Sequence, residues 1–278
     1  MQKRLIVNAD DFALHDCISQ AILKAINHGI VRSVSCVVTT DYFSEAMNLI
    51  WDKKDISVGI HLNLTDGIPV SDKDAIAFLL DKKGFFLRSH AKVIAALSIR
   101  PHRLKNVCIE LEGQIRKLKD VGVTISHLDS HGYIHMLPFL FPRIAHLAKK
   151  YGISFIRIPQ ERISFMRLTC CWKVLGLGIL SCAARAYLRK QNMKYTDFFY
   201  GLADAGNMCE DAFIQLLPKI KVGLTEIVVH PGMNIDLLKT KFAWRYHWQE
   251  ELNLLTGERL RKLISDNGIS LANFNEAV

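Results

Sequence analysis

The sequence has no paired cysteine motif and no long apolar segment at its start. Its seven cysteines are scattered without a C-x-x-C pair, which predicts reduced thiols rather than a disulfide framework. The opening residues MQKRLIVNAD contain too short an apolar run for a signal-peptide core. These two absences together predict a cytoplasmic protein.

Acidic residues are missing from one long stretch, between Glu161 and Asp197. The basic residues in that stretch supply most of the formal charge of +9: Arg162, Arg167, Lys173, Arg185, Arg189, Lys190 and Lys194. Such a segment predicts either a solvated helix face or an anionic partner. The chain has neither zinc-finger spacing nor a basic motif interleaved with aromatic residues, so nucleic acid is not the expected partner.

The same stretch is also rich in apolar residues, as in CWKVLGLGILSCAARAYLRK. The uncharged run between Lys173 and Arg185 has only eleven residues, fewer than the roughly twenty that span a bilayer. We therefore interpret residues 162–195 as a basic apolar insert. It packs against the domain, closes over a site as a lid, or contacts the inner membrane peripherally through residues 162–194.

Elsewhere, strand and helix patterns alternate. The chain of 278 residues is 50% hydrophobic and lacks repeats, low-complexity tracts and clear linkers, which predicts one domain over residues 1–278. Five apolar runs end in polar residues: RLIVNADD, ISVGIHLNLT, VGVTISHLDSH, GISFIRIP and TEIVVHPG. Because amphipathic helical patterns separate them, we expect an α/β fold, a distorted (β/α) barrel with reactive groups at the carboxyl ends of its strands.

The richest cluster of metal-capable side chains is SHLDSHGYIHM, residues 126–136. His127, Asp129 and His131 are spaced two apart and would share one face of a strand, while His135 falls beyond it. Imidazole and carboxylate ligands suit a divalent transition metal. The alternatives are a structural histidine network, or an Asp129 that only orients a histidine.

Asp10 and Asp11 are adjacent at the end of the first strand. Neighbouring carboxylates repel each other unless a cation or a shared proton compensates, so one could bind a metal while the other acts as a base. The alternative is an exposed turn. His61 lies in an apolar strand on the same face as Asn63, where a histidine is either a hydrogen-bonded core residue or a ligand.

Two further polar residues end strands. His230 precedes Pro231 and could donate a proton to a leaving group near neutral pH, or could be incidental to the turn. Arg157 could fix a carboxylate by a bidentate hydrogen bond, or neutralise the acidic pair.

Five motifs occur in a familiar order and spacing: VNADDFA, GIHLNLTDGIPV, HLDSHGYIHMLP, IRIP and EIVVHPG. Over nearly the whole chain this pattern resembles the YdjC/ChbG-like carbohydrate deacetylases. The motif TDFFYGL at 196–202 and the insert before it resemble the HpnK branch, which is associated with hopanoid lipid biosynthesis.

The resemblance implies a distorted barrel that holds one divalent metal ion, Mg²⁺ or Zn²⁺. The ligands would be Asp11, His61 and His131, with Asp10 as the catalytic base and His230 protonating the departing amine. The reaction implied is removal of an N-acetyl group from an amino sugar, an oligosaccharide or a glycolipid head group. Substrate contact or support of the ligands would fall to His127, Asp129, His135, Arg157 and Asn63.

Two positions depart from the family pattern. Ala13 stands where the family usually has Gly, and Tyr133 replaces a frequent His or polar residue. We expect the first to narrow a turn and the second to alter substrate contacts. A metal-dependent phosphoesterase acting on a phosphorylated sugar or lipid is the alternative function, and a homodimer is the expected assembly if the protein is not monomeric.

Overall fold

The computed structural model describes residues 2–99, 101–161 and 171–277, so the part of the insert at 162–170 lies outside the described residues. The described strands are β1 (Lys3–Phe12), β2 (Ser33–Cys36), β3 (Ser57–Leu62), β4 (Ile125–Ser130), β5 (Phe155–Ile156), β6 (Phe198–Tyr200), β7 (Gly223–Val229) and β8 (Ile269–Leu271). The described α-helices are α1 (Asp16–His28), α2 (Phe43–Ile50), α3 (His90–Ile99), α4 (Leu104–Asp120), α5 (Phe141–Lys150), α6 (Cys171–Lys190), α7 (Glu210–Leu216), α8 (Ile235–Lys241), α9 (Trp248–Thr256) and α10 (Glu258–Asp266).

The strands form one parallel sheet curled into a half-barrel. Their order is β5-β4-β3-β2-β1-β7-β6, and β8 pairs with the first residues of β1. Every strand pair is parallel, so all carboxyl ends lie at the same edge of the sheet. The predicted α/β class and distorted barrel are confirmed.

The central strand β1 is apolar on both faces over its first half. Leu5 and Val7 belong to the main core, which the helices cover. Ile6, between them, packs in a second cluster with Phe155 and Phe274. Burial on both faces is typical of a strand inside a parallel sheet and accounts for the continuous apolar run in the sequence.

Helix α1 ends at His28, where the chain passes close to α9. Gly29 follows its last residue, and the amide of Ile30 donates a hydrogen bond to the carbonyl of Leu255 in α9. A Cβ on Gly29 would lie 2.3 Å from that carbonyl oxygen. Glycine is therefore required here by the close approach of two backbones rather than by a left-handed conformation.

Three strands have no clear sequence signal. β2, β6 and β8 are three or four residues long. Segments this short carry too little periodicity to be recognised, and neighbouring strands in the sheet determine their conformation.

Helix α6 covers the described part of the insert. Ser181, Ala184 and Leu188 are buried against the domain, whereas Leu175 is 46% exposed and Ile179 is 73% exposed. One face of α6 therefore packs against the domain, as one of the three predicted possibilities required. The other face is exposed. None of the helices within residues 2–99, 101–161 and 171–277 is long and apolar enough to cross a membrane.

Candidate active site

A bulge near the end of β1 brings both acidic residues to the site. The pairing register with β2 shifts between Ala9 and Phe12, and Asp11 has a left-handed φ of 66°. Simple alternation would send Asp10 and Asp11 to opposite faces. The bulge turns the backbone so that both carboxylates reach the same edge.

The turn that follows is also left-handed. Ala13 has a φ of 68°, a conformation that costs a residue with a side chain roughly 1 kcal/mol or more. The preference of the family for Gly at this position has a physical reason in that angle. The Ala13 methyl is accommodated in the core, fully buried.

Asp11, His61 and His131 form a cluster that could hold a metal ion. One ligand atom from each lies within 4.8 Å of the others. The Oδ1 atom of Asp11 is 2.8 Å from His131 Nδ1 and 3.4 Å from His61 Nε2. One carboxylate and two imidazoles leave coordination positions for water and substrate, and this donor set fits a divalent ion.

Asp129 orients one of these histidines. Its Oδ1 accepts a hydrogen bond of 2.7 Å from His61 Nδ1, which leaves Nε2 of the same ring directed at Asp11. Its Oδ2 accepts from the hydroxyl of Ser35 and from Arg157. A carboxylate behind a histidine in this way fixes the ring and raises its basicity.

The metal-free cluster binds protons strongly. Burial opposes the charged form of His61, but the Asp129 and Asp10 carboxylates outweigh it and raise the pKa of His61 to about 10. Burial also opposes the charged form of His131, but the Asp11 carboxylate outweighs it and raises the pKa of His131. The same interactions hold the pKa of Asp11 well below its usual range in spite of burial. The site carries an excess of negative charge that a cation or protons must balance.

Arg157 connects the buried carboxylates. Nη1 and Nη2 each donate a hydrogen bond of 2.8 Å to one oxygen of Asp10, a bidentate arrangement. Nη2 also lies 2.6 Å from Asp129, and Nε donates to Glu226 at 2.7 Å. Because three carboxylates share one guanidinium, Arg157 fixes the position of Asp10 but neutralises its charge only in part.

His127 lies away from the metal cluster. It is fully buried in β4, stacked 4.0 Å from the ring of Phe274, and hydrogen-bonded to Ser35 and Ser126. Burial lowers its pKa to about 3, so it is neutral. A Cβ on Gly59 of β3 would collide with its ring at 2.3 Å, which accounts for glycine there.

The spacing predicted that His131 would share a strand face with His127 and Asp129, but the structure places it beyond the strand. β4 ends at Ser130, and His131 begins a tight 3-10 turn of residues 131–136. His135 is fully buried under that turn, where Ser130 donates to its Nδ1 and its Nε2 donates to the carbonyl of Arg157. Of the two roles predicted for His135, this geometry favours support over substrate contact.

Asn63 follows the end of β3 and organises the next loop. Its side-chain carbonyl accepts hydrogen bonds from the amides of Thr65 and Asp66, and its amide donates to the Asp66 carbonyl. Asp66 thereby reaches within 4.0 Å of His131 Nε2. Asn63 thus acts on the site through the loop rather than by facing the cavity.

His230 stands at the end of β7 beside Asp10 and His61, on the same cavity. The carboxylate of Glu251 in α9 accepts a hydrogen bond of 2.5 Å from the backbone amide of His230, and another from the backbone amide of Met208. Within the described residues, Nδ1 of His230 is buried without a hydrogen-bond partner, and burial lowers the pKa of the ring. A neutral imidazole next to the cluster is suited to exchange a proton with a ligand.

A cavity of about 580 Å³ opens over these groups. Its polar lining includes Asp10, His61, His131 and His230. Its aliphatic lining comes from α3, α6 and the 131–136 turn and its exit: Ile94, Ile134, Met136, Leu137, Leu177 and Leu180. The cavity therefore offers both polar and hydrocarbon surface to a ligand.

Two aromatic residues that the sequence reasoning missed border the same cavity. Trp244 lies 5.0 Å from the ring of His131, and Tyr246 lies 5.1 Å from that of His230. They belong to the irregular segment between α8 and α9, in which Phe242, Trp244 and Tyr246 alternate with exposed residues up to Trp248, the first residue of α9. That alternation was a usable signal, although it does not show which part of the fold the rings face.

The other missed residues are Ser35, Asp66 and Glu226. Glu226 had a signal, since it is the one charged residue within the apolar run of β7 and is fully buried beside Arg157. Burial raises its pKa to about 7 despite the guanidinium. Ser35 and Asp66 had none, because serine and aspartate are common in turns and short strands.

Comparison with known proteins shows which family this chain is similar to. The profile of a family described as "YdjC-like protein" matches residues 4–266. The chain is 28% identical over 278 residues to a carbohydrate deacetylase of Thermoanaerobacter pseudethanolicus, covering 98% of each chain. It is 30% identical to a chitooligosaccharide deacetylase of Citrobacter koseri, covering 99% of each. A crystal structure from Enterococcus faecalis, whose description proposes cellobiose-phosphate cleavage, superposes over 100% of both chains with a TM-score of 0.77 and 26% identity.

Proposed function

Since the chain belongs to the YdjC-like protein family, we propose that it is a carbohydrate deacetylase that hydrolyses the N-acetyl group of an amino sugar with the help of one divalent metal ion. The observation that carries the proposal is the cluster of Asp11, His61 and His131 beside a carboxylate, Asp10, that Arg157 holds in place. The phosphoesterase alternative is not supported, because the two sequence relatives reported above, which match nearly the whole chain, are named as deacetylases.

In this proposal, Asp11, His61 and His131 would hold the ion, either Mg²⁺ or Zn²⁺. Bound there, the ion would supply Lewis acidity, which lowers the pKa of a water molecule and polarises the acetamide carbonyl. Asp10 takes the proton of the attacking water, and Arg157 keeps its carboxylate in position. His230, on the same cavity and neutral at rest, takes up a proton from solvent and gives it to the nitrogen as the amide bond breaks.

The aliphatic lining of the cavity supports a finer statement about the substrate. A free sugar offers hydroxyl groups on most of its edges, so a lining of leucine and isoleucine side chains suits a different group. We propose that the acetylated sugar is the head group of a glycolipid, as in the HpnK branch, with its hydrocarbon part against α3 and α6.

The exposed surface of α3 and α6 supports contact with a membrane. Both helices, which supply part of the aliphatic lining, also expose aliphatic residues: Ile94 and Ile99 on α3, and Leu175 and Ile179 on α6, with exposed fractions from 37% to 74%. Basic residues follow on α6, ending in Arg189 and Lys190. Aliphatic residues next to cations suit the surface of a membrane that contains acidic lipids.

Acetate release tests the function. The purified protein is stripped with a chelator and assayed on N-acetylglucosamine, N,N′-diacetylchitobiose and an N-acetylglucosaminyl lipid, with Mg²⁺ or Zn²⁺ restored separately. We expect acetate release that depends on the metal, and its loss together with metal binding in Asp11→Ala and His131→Ala. His28→Ala, at an exposed position in α1, is the control that should retain both. Metal-independent turnover, or no acetate from any of these compounds, would overturn the proposal.

A further inference from the structure

Tyr246, in the irregular segment between α8 and α9, is held in place by the groups packed around its ring. The centroid of that ring lies 5.4 Å from that of Trp244 and 5.7 Å from that of the buried Trp248. The amide of the next residue, His247, donates a hydrogen bond of 2.7 Å to the carbonyl of Gly206. A Cβ on Gly206 would lie 2.1 Å from the Tyr246 ring, so the ring packs directly on the backbone there. These contacts fix the position of the phenol.

The phenol is available to a ligand of the cavity. Tyr246 lines the same cavity as Asp10, His131 and His230. Among residues 2–99, 101–161 and 171–277, no group is hydrogen-bonded to its hydroxyl. A tyrosine hydroxyl has an ordinary pKa of about 10, so it keeps its proton near neutral pH and can donate a hydrogen bond. A substrate in the cavity therefore meets a neutral donor at a fixed position.

Tyr246 lies beside the residue to which the proposed function assigns the departing nitrogen. Its ring centroid is 5.1 Å from that of His230, with the planes at 62°. The nitrogen and the carbonyl oxygen of an amide are bonded to the same carbon. A donor next to His230 is therefore close to the carbonyl oxygen of an acetamide whose nitrogen meets His230. That oxygen gains negative charge when water adds to the carbon, and a donor already in position stabilises the charge.

The charged and ligating groups of the cavity already have other roles in the proposed function. Asp10 takes a proton from water, and as a carboxylate it can only accept hydrogen bonds. His61 and His131 are proposed ligands of the ion, and the proton of His230 is needed at the nitrogen. None of the four can donate a hydrogen bond to the carbonyl oxygen and also keep its role. Tyr246 supplies such a donor without taking part in proton transfer.

We propose that Tyr246 is a catalytic residue, whose hydroxyl donates a hydrogen bond to the carbonyl oxygen of the acetamide and stabilises the negative charge on that oxygen in the tetrahedral intermediate. This inference rests on the proposed deacetylase function. The charge develops when the water oxygen bonds to the carbonyl carbon, and it is lost when the carbonyl re-forms and the bond from carbon to nitrogen breaks. The proton of Tyr246 stays on the phenol throughout. Because the hydrogen bond strengthens as the charge develops, it raises kcat more than it lowers KM.

Removal of the hydroxyl alone tests this. Acetate release by wild type and by Tyr246→Phe is compared on whichever of the N-acetylglucosamine compounds named above wild type hydrolyses fastest. Phenylalanine keeps the ring that packs on Gly206 and Trp248. We expect kcat to fall about 10²- to 10³-fold while KM changes by no more than about twofold. Tyr187→Phe removes a phenol hydroxyl from α6, where the ring meets the edge of Phe141, and should keep the wild-type values.

Binding of a tetrahedral anion separates this role from the other roles of a phenol. The probe is the N-methylphosphonyl analogue of methyl glucosaminide, whose anionic phosphorus group has the shape and charge of the intermediate. Calorimetric titration into the metal-loaded proteins measures its affinity, and methyl glucosaminide, which lacks the acyl group, is the matched probe. Tyr246→Phe should bind the analogue more weakly by about the factor lost in kcat, and bind methyl glucosaminide as wild type does.

Each other result overturns the inference. A fall in kcat with unchanged affinity for the analogue would mean that the hydroxyl of Tyr246 serves proton transfer. A raised KM with unchanged kcat, or equal losses of affinity for both probes, would mean that it only holds the sugar. Wild-type kinetics in Tyr246→Phe would remove the role altogether. Acetate release by wild type establishes the function independently, so if wild type releases none, the inference falls together with the function.

Discussion

At the scale of single residues, the division of labour between Asp10 and Asp11 depends on their partners. Asp11 faces two histidines, whereas Asp10 faces Arg157 and accepts a hydrogen bond from Asn8. Two identical side chains, adjacent in sequence, therefore have different environments. The sequence could show that the pair needed a cation or a proton, but it could not assign the roles from spacing alone.

Replacing Asp10 separates the base from the metal site. Asp10→Asn removes the group proposed to take the proton of water but none of the three ligands. We expect metal binding to persist and kcat to fall roughly 10²- to 10⁴-fold. Acetate release and bound metal per chain are the measurements, with Asp52→Asn, at an exposed residue, as the control. Wild-type turnover in Asp10→Asn would show that another group is the base, and loss of the metal would place Asp10 among the ligands.

We expect protons to leave the site when the proposed metal ion binds. In the metal-free protein the pKa of His61 is raised to about 10 by Asp129 and Asp10 in spite of burial, so this ring is charged at pH 7.5. A ligating imidazole nitrogen must give up its proton. We expect at least one proton to be released per Zn²⁺ bound, and affinity to weaken as the pH falls. Calorimetric titration in buffers of different ionisation enthalpy measures this number, and zero release would contradict the geometry.

At the scale of elements, sequence patterns predicted the long strands better than the short ones. The five predicted apolar runs overlap β1, β3, β4, β5 and β7. The turn after β4 was interpreted incorrectly, because strand periodicity was extended through His131. The two left-handed residues that break the periodicity there include Tyr133, which no propensity argument would place in that conformation.

Changes on the exposed face of α6 test the proposed membrane contact. Leu175→Glu and Ile179→Glu each place a charge on its exposed aliphatic face without touching the buried side. We expect either change to lower sedimentation with vesicles containing acidic lipid by severalfold, while acetate release from a water-soluble sugar stays unchanged. Val222→Glu, at another exposed aliphatic residue, is the control. Equal sedimentation of all variants with wild type, or recovery of wild type in the supernatant, would rule out this surface.

At the scale of the whole molecule, the polar interior of the half-barrel makes stability sensitive to acid. Burial lowers the pKa of His135 to about 4, below the value near 6.5 expected in the unfolded chain. The unfolded state therefore binds more protons between these two values, so the free energy of unfolding falls as the pH drops from 6.5 to 4. For His135 alone the loss is about 3 kcal/mol, and His127 adds to it.

Urea unfolding between pH 7 and pH 4 measures this loss. His135→Gln should have a shallower dependence of unfolding free energy on pH than wild type, whatever its stability at pH 7. His28→Gln, at an exposed histidine, should keep the wild-type slope. The same slope in all three proteins would mean that His135 is not held neutral by burial.

What the sequence determined by itself was the chemistry available and the order of the elements. Apolar runs ending in polar residues specified a parallel sheet, and the shared direction of its strands brings those ends to one edge whatever the details. Only the tertiary structure decided which of those residues meet. The bulge that turns Asp11 toward two histidines, the Arg157 hub with Glu226, and the loop that carries Asp66 depend on contacts between residues far apart in the chain. Local pattern cannot encode such contacts, because burial and pairing with distant partners, and not intrinsic preference, stabilise them.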